Sequence, residues 1–127
     1  MEVRSVNSEK GPRPIGPYSH AIIAGDLVFC SGMVAVDPAT NALVQGDMSV
    51  QTRRALDNLA AALAEAGSDL AHVVKTTVFL VDLSDFKAMN EAYALRFGSH
   101  KPARSTIQVA GLPLGARIEI ECVAVRR

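Results

Sequence analysis

The chain has 127 residues, 13 basic and 13 acidic side chains, a formal net charge of zero, and 49% hydrophobic against 20% charged residues. That length bounds the reading to one domain over residues 1–127, with enough chain to bury a core. Balanced charge with no basic stripe argues against a polyanion partner, so neither nucleic acid nor an anionic membrane is expected, and no run approaches the ~18 apolar residues of a membrane-spanning helix.

The first ten residues are polar apart from Met1, Val3 and Val6, and can form a short edge strand. Gly11–Pro17 holds prolines at 12, 14 and 17, which remove backbone donors and fix φ, so it is a rigid loop. Ser19–Ala24 and Leu27–Val36 read as a hairpin around Gly25-Asp26. Asp37–Asn41 is turn chemistry. Asp47 or Ser49 caps a helix whose face is Leu56, Leu59, Ala60 and Leu63, with Gly67 just past its end.

Val73–Val81 is β-branched and apolar, which predicts a strand buried on both sides. Ser84 or Asp85 opens a second helix with the stripe Phe86, Met89, Asn90, Tyr93 and Phe97, closed by Gly98. Asn90 is the odd member: an amide on a packing face must find partners or border a cavity. Residues 103–110 and 116–125 are the last two strands. The order predicts an α+β fold with one mixed sheet and two helices on one of its faces. The other face carries Val123 and Val125 beside Glu119 and Glu121, and a face of that kind is expected to be covered by another copy.

Cys30 and Cys122 sit in separate apolar runs, which predicts buried free thiols suited to a reducing cytoplasm. His20, His72 and His100 have no metal-ligand spacing, so no metal is expected. The N-terminus has no basic region followed by an apolar stretch, so no secretory signal is expected.

The chemistry concentrates in Pro102–Ile107 and Ile118–Glu121. If these strands formed an antiparallel pair around Gly111–Gly115, Arg104 would stand near Glu119 or Glu121. Arginine matches a carboxylate with a planar fork, and a glutamate can act as a base toward water. A cross-strand salt bridge is the commoner use of such a pair.

Taken in order, Ile-Gly-Pro-Tyr-Ser at 15–19, Ser-Gly at 31–32, Leu-Asp-Asn-Leu at 56–59, the run 74–86, Asn-Glu-Ala-Tyr at 90–93, Pro-Ala-Arg-Ser at 102–105 and Ile-Glu-Ile-Glu at 118–121 resemble the Rid (YjgF) family of reactive-intermediate deaminases, in its RidA branch. The resemblance implies a chorismate-mutase-like homotrimer with a central barrel, clefts between subunits, and hydrolysis of 2-imino acids or their enamine tautomers (2-iminobutanoate and 2-iminopropanoate type) to 2-oxo acids and ammonia, with no cofactor. It also implies roles. Arg104 grips the substrate carboxylate, Glu121 holds and activates water, and Tyr18, Ser31, Asn90 and the Thr106 position line the cleft.

The chain departs from that pattern at Thr106, where a cysteine is usual, at Met33, where glutamine is common, and at His20. These changes bear on substrate range more than on reaction class. Relatives of this kind also suggest a non-catalytic metabolite-binding or chaperone-like trimer, or a pathway-specific deaminase of the aminomuconate type.

Overall fold

Alternating apolar positions and two helical stripes sort the chain into a six-stranded sheet with a helical layer on one face. The computed structural model describes residues 1–127. In chain order the elements are β1 (Val3–Val6), β2 (Ala21–Ala24), β3 (Leu27–Met33), the short β4 (Val36–Asp37) and β5 (Ala42–Leu43), α1 (Met48–Glu65), β6 (Val73–Leu80), α2 (Phe86–Phe97), β7 (Ala103–Gln108) and β8 (Ile118–Val125). The main sheet runs β1-β2-β3-β8-β6-β7, and β4 and β5 form a separate two-stranded ribbon. All neighbours are antiparallel except β6 and β7.

That order corrects the expected β7–β8 hairpin. The α2 crossover returns β7 parallel to β6. The chain then passes the end of β6, and β8 inserts between β6 and β3. Burial explains the choice. Ile118, Ile120, Cys122 and Ala124 of β8 are all buried and suit a central strand. β7 carries Arg104, Ser105, Thr106 and Gln108 and takes the edge, where polar side chains are tolerated.

The core lies between the sheet and the helices. Leu56, Leu59 and Leu63 of α1 and Met89 of α2 pack against Val28, Val78, Leu80, Ile118 and Ile120. Asp47 caps α1 by accepting from the Val50 N–H at 3.0 Å. Gly67 follows the helix in a left-handed conformation (φ +79°) that a side chain would strain. Asn58 is fully buried on α1. Its Nδ2 donates to the Val34 and Val36 carbonyls at 3.0 and 2.8 Å, and its Oδ1 accepts from Arg54 at 2.9 Å. The chain just past β3 is thereby tied to the helical layer.

His20 is buried and anchors the proline-rich loop. Its Nδ1 accepts from the Ser8 N–H at 2.9 Å and its Nε2 donates to the Pro12 carbonyl, which defines the neutral Nε2–H tautomer. Cys30 and Cys122 are free, buried and directly opposite each other across β3 and β8. Hydrogen bonding to Cys30 and burial both push the Cys122 thiol far up from its ordinary range, away from the reactive thiolate.

β6 differs from its expected double burial. Thr76, Val78 and Leu80 face the helices and are buried, but Lys75, Thr77 and Phe79 on the other face are only half-buried. The same uncovered face carries Glu119, Glu121, Val123 and Val125 of β8, with Leu27 and Phe29 of β3 38% and 44% exposed. This face is the one expected from the sequence to be covered by another copy.

Candidate functional site

The sheet register decides which side chains meet. On β6, Thr76 lies opposite both Arg104 and Cys122, and Thr77 lies opposite both Ser105 and Glu121. Arg104 therefore shares the helix-side face with Cys122, and Glu121 shares the uncovered face with Ser105. Arg104 and Glu121 leave the sheet on opposite sides. One chain does not bring them together, which corrects the pairing expected from sequence. It holds two separate candidate half-sites instead, each beside its own cavity.

The first half-site is built on Arg104. Its guanidinium lies 4.9 Å from the Tyr93 ring centroid and 5.6 Å from that of Phe86. Tyr93 is fixed from behind: its hydroxyl and the Thr76 hydroxyl are 2.7 Å apart, and its ring packs on Phe97 at 4.5 Å. Burial raises the pKa of Tyr93, so the phenol stays neutral beneath the cation. Arg104 appears in none of the ion pairs of the chain. Its fork is thus oriented by aromatic faces and left free for a carboxylate.

Asn90, one helical turn before Tyr93, lines the same cavity of about 480 Å³. Its Oδ1 is buried without a hydrogen-bond partner, as is the Thr106 Oγ1 one residue pair along β7 from Arg104. Unsatisfied buried acceptors are rare in folded proteins and mark places where a ligand or ordered water completes the bonding. The amide on a packing face borders a cavity, as the helical stripe required.

The second half-site lies at the mouth of the proline-rich loop. Ile15, Tyr18, Ser31, Gly32, Glu119 and Glu121 all border a second cavity of about 410 Å³. Ser31 donates to the Ser19 carbonyl at 2.6 Å, so it ties β3 to the loop. Tyr18 is exposed at 47% and stands as the wall of this cavity.

The two glutamates differ. Glu121 is exposed, whereas Glu119 is half-buried against Gly32. A Cβ at residue 32 would fall 2.6 Å from the Glu119 Cδ, so a side chain there would displace this carboxyl from its position. Burial, and then the charge of Glu121, push the Glu119 pKa above the ordinary carboxylate range. The sequence puts Glu119 on the same strand face as Glu121, and the resemblance implies the water-activating role for Glu121. The Ser-Gly dipeptide was the available signal, because a glycine opposite an acidic strand leaves room for a side chain. In the sequence, Tyr93 and Phe86 show only as members of the packing stripe. Their spacing from Asn90 is the same helical stripe that cradles Arg104.

The description of the endoribonuclease L-PSP family, which includes the YjgF and Rid proteins, matches residues 8–126. The chain belongs to this family. A RutC family protein of Pyrococcus abyssi is 48% identical over 126 residues, covering 99% of each chain. A human protein named 2-iminobutanoate/2-iminopropanoate deaminase is 44% identical over 123 residues, covering 97% of this chain and 90% of that one. The crystal structure of E. coli TdcF with bound serine superposes with a TM-score of 0.92 at 38% identity, covering 98% of this chain and 99% of that one. The L-PSP family assignment spans both half-sites.

Proposed function

We propose that the protein hydrolyses 2-imino acids and their enamine tautomers to 2-oxo acids and ammonia, in clefts where the Arg104 half-site of one subunit meets the Glu119 half-site of the next in a homotrimer. The observation that carries this reading is the unpaired Arg104 guanidinium held over Tyr93 and Phe86. The relatives named as imine deaminases support the reaction class, and the solved relative with bound serine supports an α-carboxylate ligand.

Arg104 forks onto the substrate carboxylate and fixes the C=N carbon in place. Glu119 takes a proton from water as the water oxygen bonds to that carbon. The carbinolamine formed from the protonated imine collapses when the Glu119 carboxyl returns the proton to nitrogen, the C–N bond breaks, and the hydroxyl proton passes to the Glu119 carboxylate as the C=O forms, releasing ammonia and the 2-oxo acid. A carboxylate whose pKa is raised by burial is a stronger base than an exposed one, which favours Glu119 over Glu121 for this step.

The Asn90 Oδ1 supplies an acceptor for an N–H of the substrate, and Thr106 a hydroxyl beside the carboxylate. Tyr18 and Ser31 form the opposing wall. The soluble reaction suits a cytoplasmic protein. A balance of 13 basic and 13 acidic residues favours a small acid over RNA, despite the nuclease in the family's description.

A coupled assay tests the reading. Threonine dehydratase or an amino-acid oxidase generates the imine, and its decay is followed with and without this protein. Faster decay is expected. Decay at the spontaneous rate with the folded protein present would remove the deaminase reading.

A further inference from the structure

The cavity beside Arg104 has a second cation. Lys101 lines it together with Arg104, Asn90, Tyr93 and His100. None of its lining residues is acidic, although the chain as a whole carries as many acids as bases. The ion pairs of the chain join His72 and Arg127 to Asp69, Arg96 to Asp57, and Arg117 to Asp85. Lys101 and Arg104 are in none of them. His100 donates from Nε2 to the Val73 carbonyl at 2.6 Å, which fixes the loop that carries Lys101.

We propose that this cavity selects imino and oxo acids with a second carboxylate on the side chain: Arg104 takes the α-carboxylate and Lys101 the distal one. The inference rests on the deaminase reading above and adds the substrate class. Lys101 precedes β7 and Arg104 lies within it, so three residues of chain hold the two backbone positions no more than about 11 Å apart. Both side chains then reach back into one cavity, a spacing suited to a four- or five-carbon diacid. Arginine provides the planar fork for the carboxylate that must be oriented for chemistry. The lysine ammonium, a flexible point charge, accommodates a distal group of variable length. Asn90, whose buried Oδ1 has no hydrogen-bond partner, lines the same cavity.

The test is calorimetric binding of 2-oxoglutarate and 2-oxobutanoate to the wild-type protein, Lys101→Met and Lys101→Glu. Lys101 is exposed, so both variants are expected to fold. The wild type should prefer 2-oxoglutarate. That preference should fall by up to about fivefold in Lys101→Met, the upper end for a solvent-exposed ion pair. It should fall further in Lys101→Glu, where like charges face each other.

A preference unchanged by both substitutions, or a wild type that binds 2-oxobutanoate at least as tightly, overturns the role of Lys101 and leaves the deaminase reading standing. If neither oxo acid binds and imine decay is not accelerated, the deaminase reading fails and this inference fails with it.

Discussion

Two glutamates two residues apart on β8 face the same side of the sheet, yet their surroundings give them different chemistry. Glu119 is half-buried against Gly32, and Glu121 stands in solvent beside it. Glu119→Gln should lower turnover by about 10²–10⁴-fold, and Glu121→Gln by much less. The pH profile separates their roles. The base must be ionised, so the rate falls as pH drops through the raised Glu119 pKa. Removing the neighbouring charge in Glu121→Gln should move that acid limb to lower pH.

Stability carries the opposite sign. A carboxyl with a raised pKa binds its proton more tightly in the folded than in the unfolded state. Its contribution is full below the ordinary glutamate value and is lost as pH rises through the raised value. Thermal melts of Glu119→Gln should therefore show a gain over wild type at pH 7 that disappears in acid. Equal melts at both pH values would mean that the carboxyl is not penalised by its site. Gly32→Ala tests the same contact sterically. Its methyl would sit 2.6 Å from the Glu119 Cδ, so the carboxyl must move. A displacement of that kind should cost about 10²-fold in rate while the circular dichroism spectrum stays native.

At the scale of elements, α1 supports the second half-site from behind. Asn58 holds the Val34 and Val36 carbonyls just after β3, next to Gly32. Asn58→Ala leaves both acceptors and the Arg54 donor without their partner, which should cost about 1–3 kcal/mol in denaturant unfolding. A loss near zero would mean that water replaces the amide. The elements themselves were legible because their signals are local. The α1 stripe of Leu56, Leu59 and Leu63, the Asp47 cap and the Gly25-Asp26 hairpin turn all appear where the residues put them.

Strand order was not legible. Nothing within 103–125 says that β8 will pass β7's neighbour and pair with β6 and β3. That preference comes from burial of Ile118 and Ile120 by helices far away in sequence. The same gap explains the site. Residue identity pointed to Arg104 and to the acidic strand. Which glutamate is half-buried depends on Gly32, which lies on the neighbouring strand and is remote in the chain.

At the scale of the whole molecule, the proposed carboxylate anchor and the proposed base lie on opposite faces of one sheet. Arg104 leaves the helix side of the edge strand, and Glu119 leaves the uncovered face that also shows Leu27 and Phe29. In the proposed trimer another copy would cover that apolar face and join an Arg104 half-site to the Glu119 half-site of the next subunit. The arrangement predicts complementation. Arg104→Ala and Glu119→Gln should each be nearly inactive as pure oligomers. After the two are unfolded together in equal amounts and refolded, a cleft is complete when its arginine comes from a Glu119→Gln subunit and its glutamate from an Arg104→Ala subunit. Random assembly of a ring gives that combination in about one cleft in four, so the mixture should recover about a quarter of the wild-type rate per cleft. A site confined to one chain would recover nothing, because every subunit in the mixture lacks one of the two groups. Sedimentation of the same samples shows whether the ring has formed. A mixture that sediments as a trimer and stays inactive would therefore rule out the shared cleft, rather than the assembly.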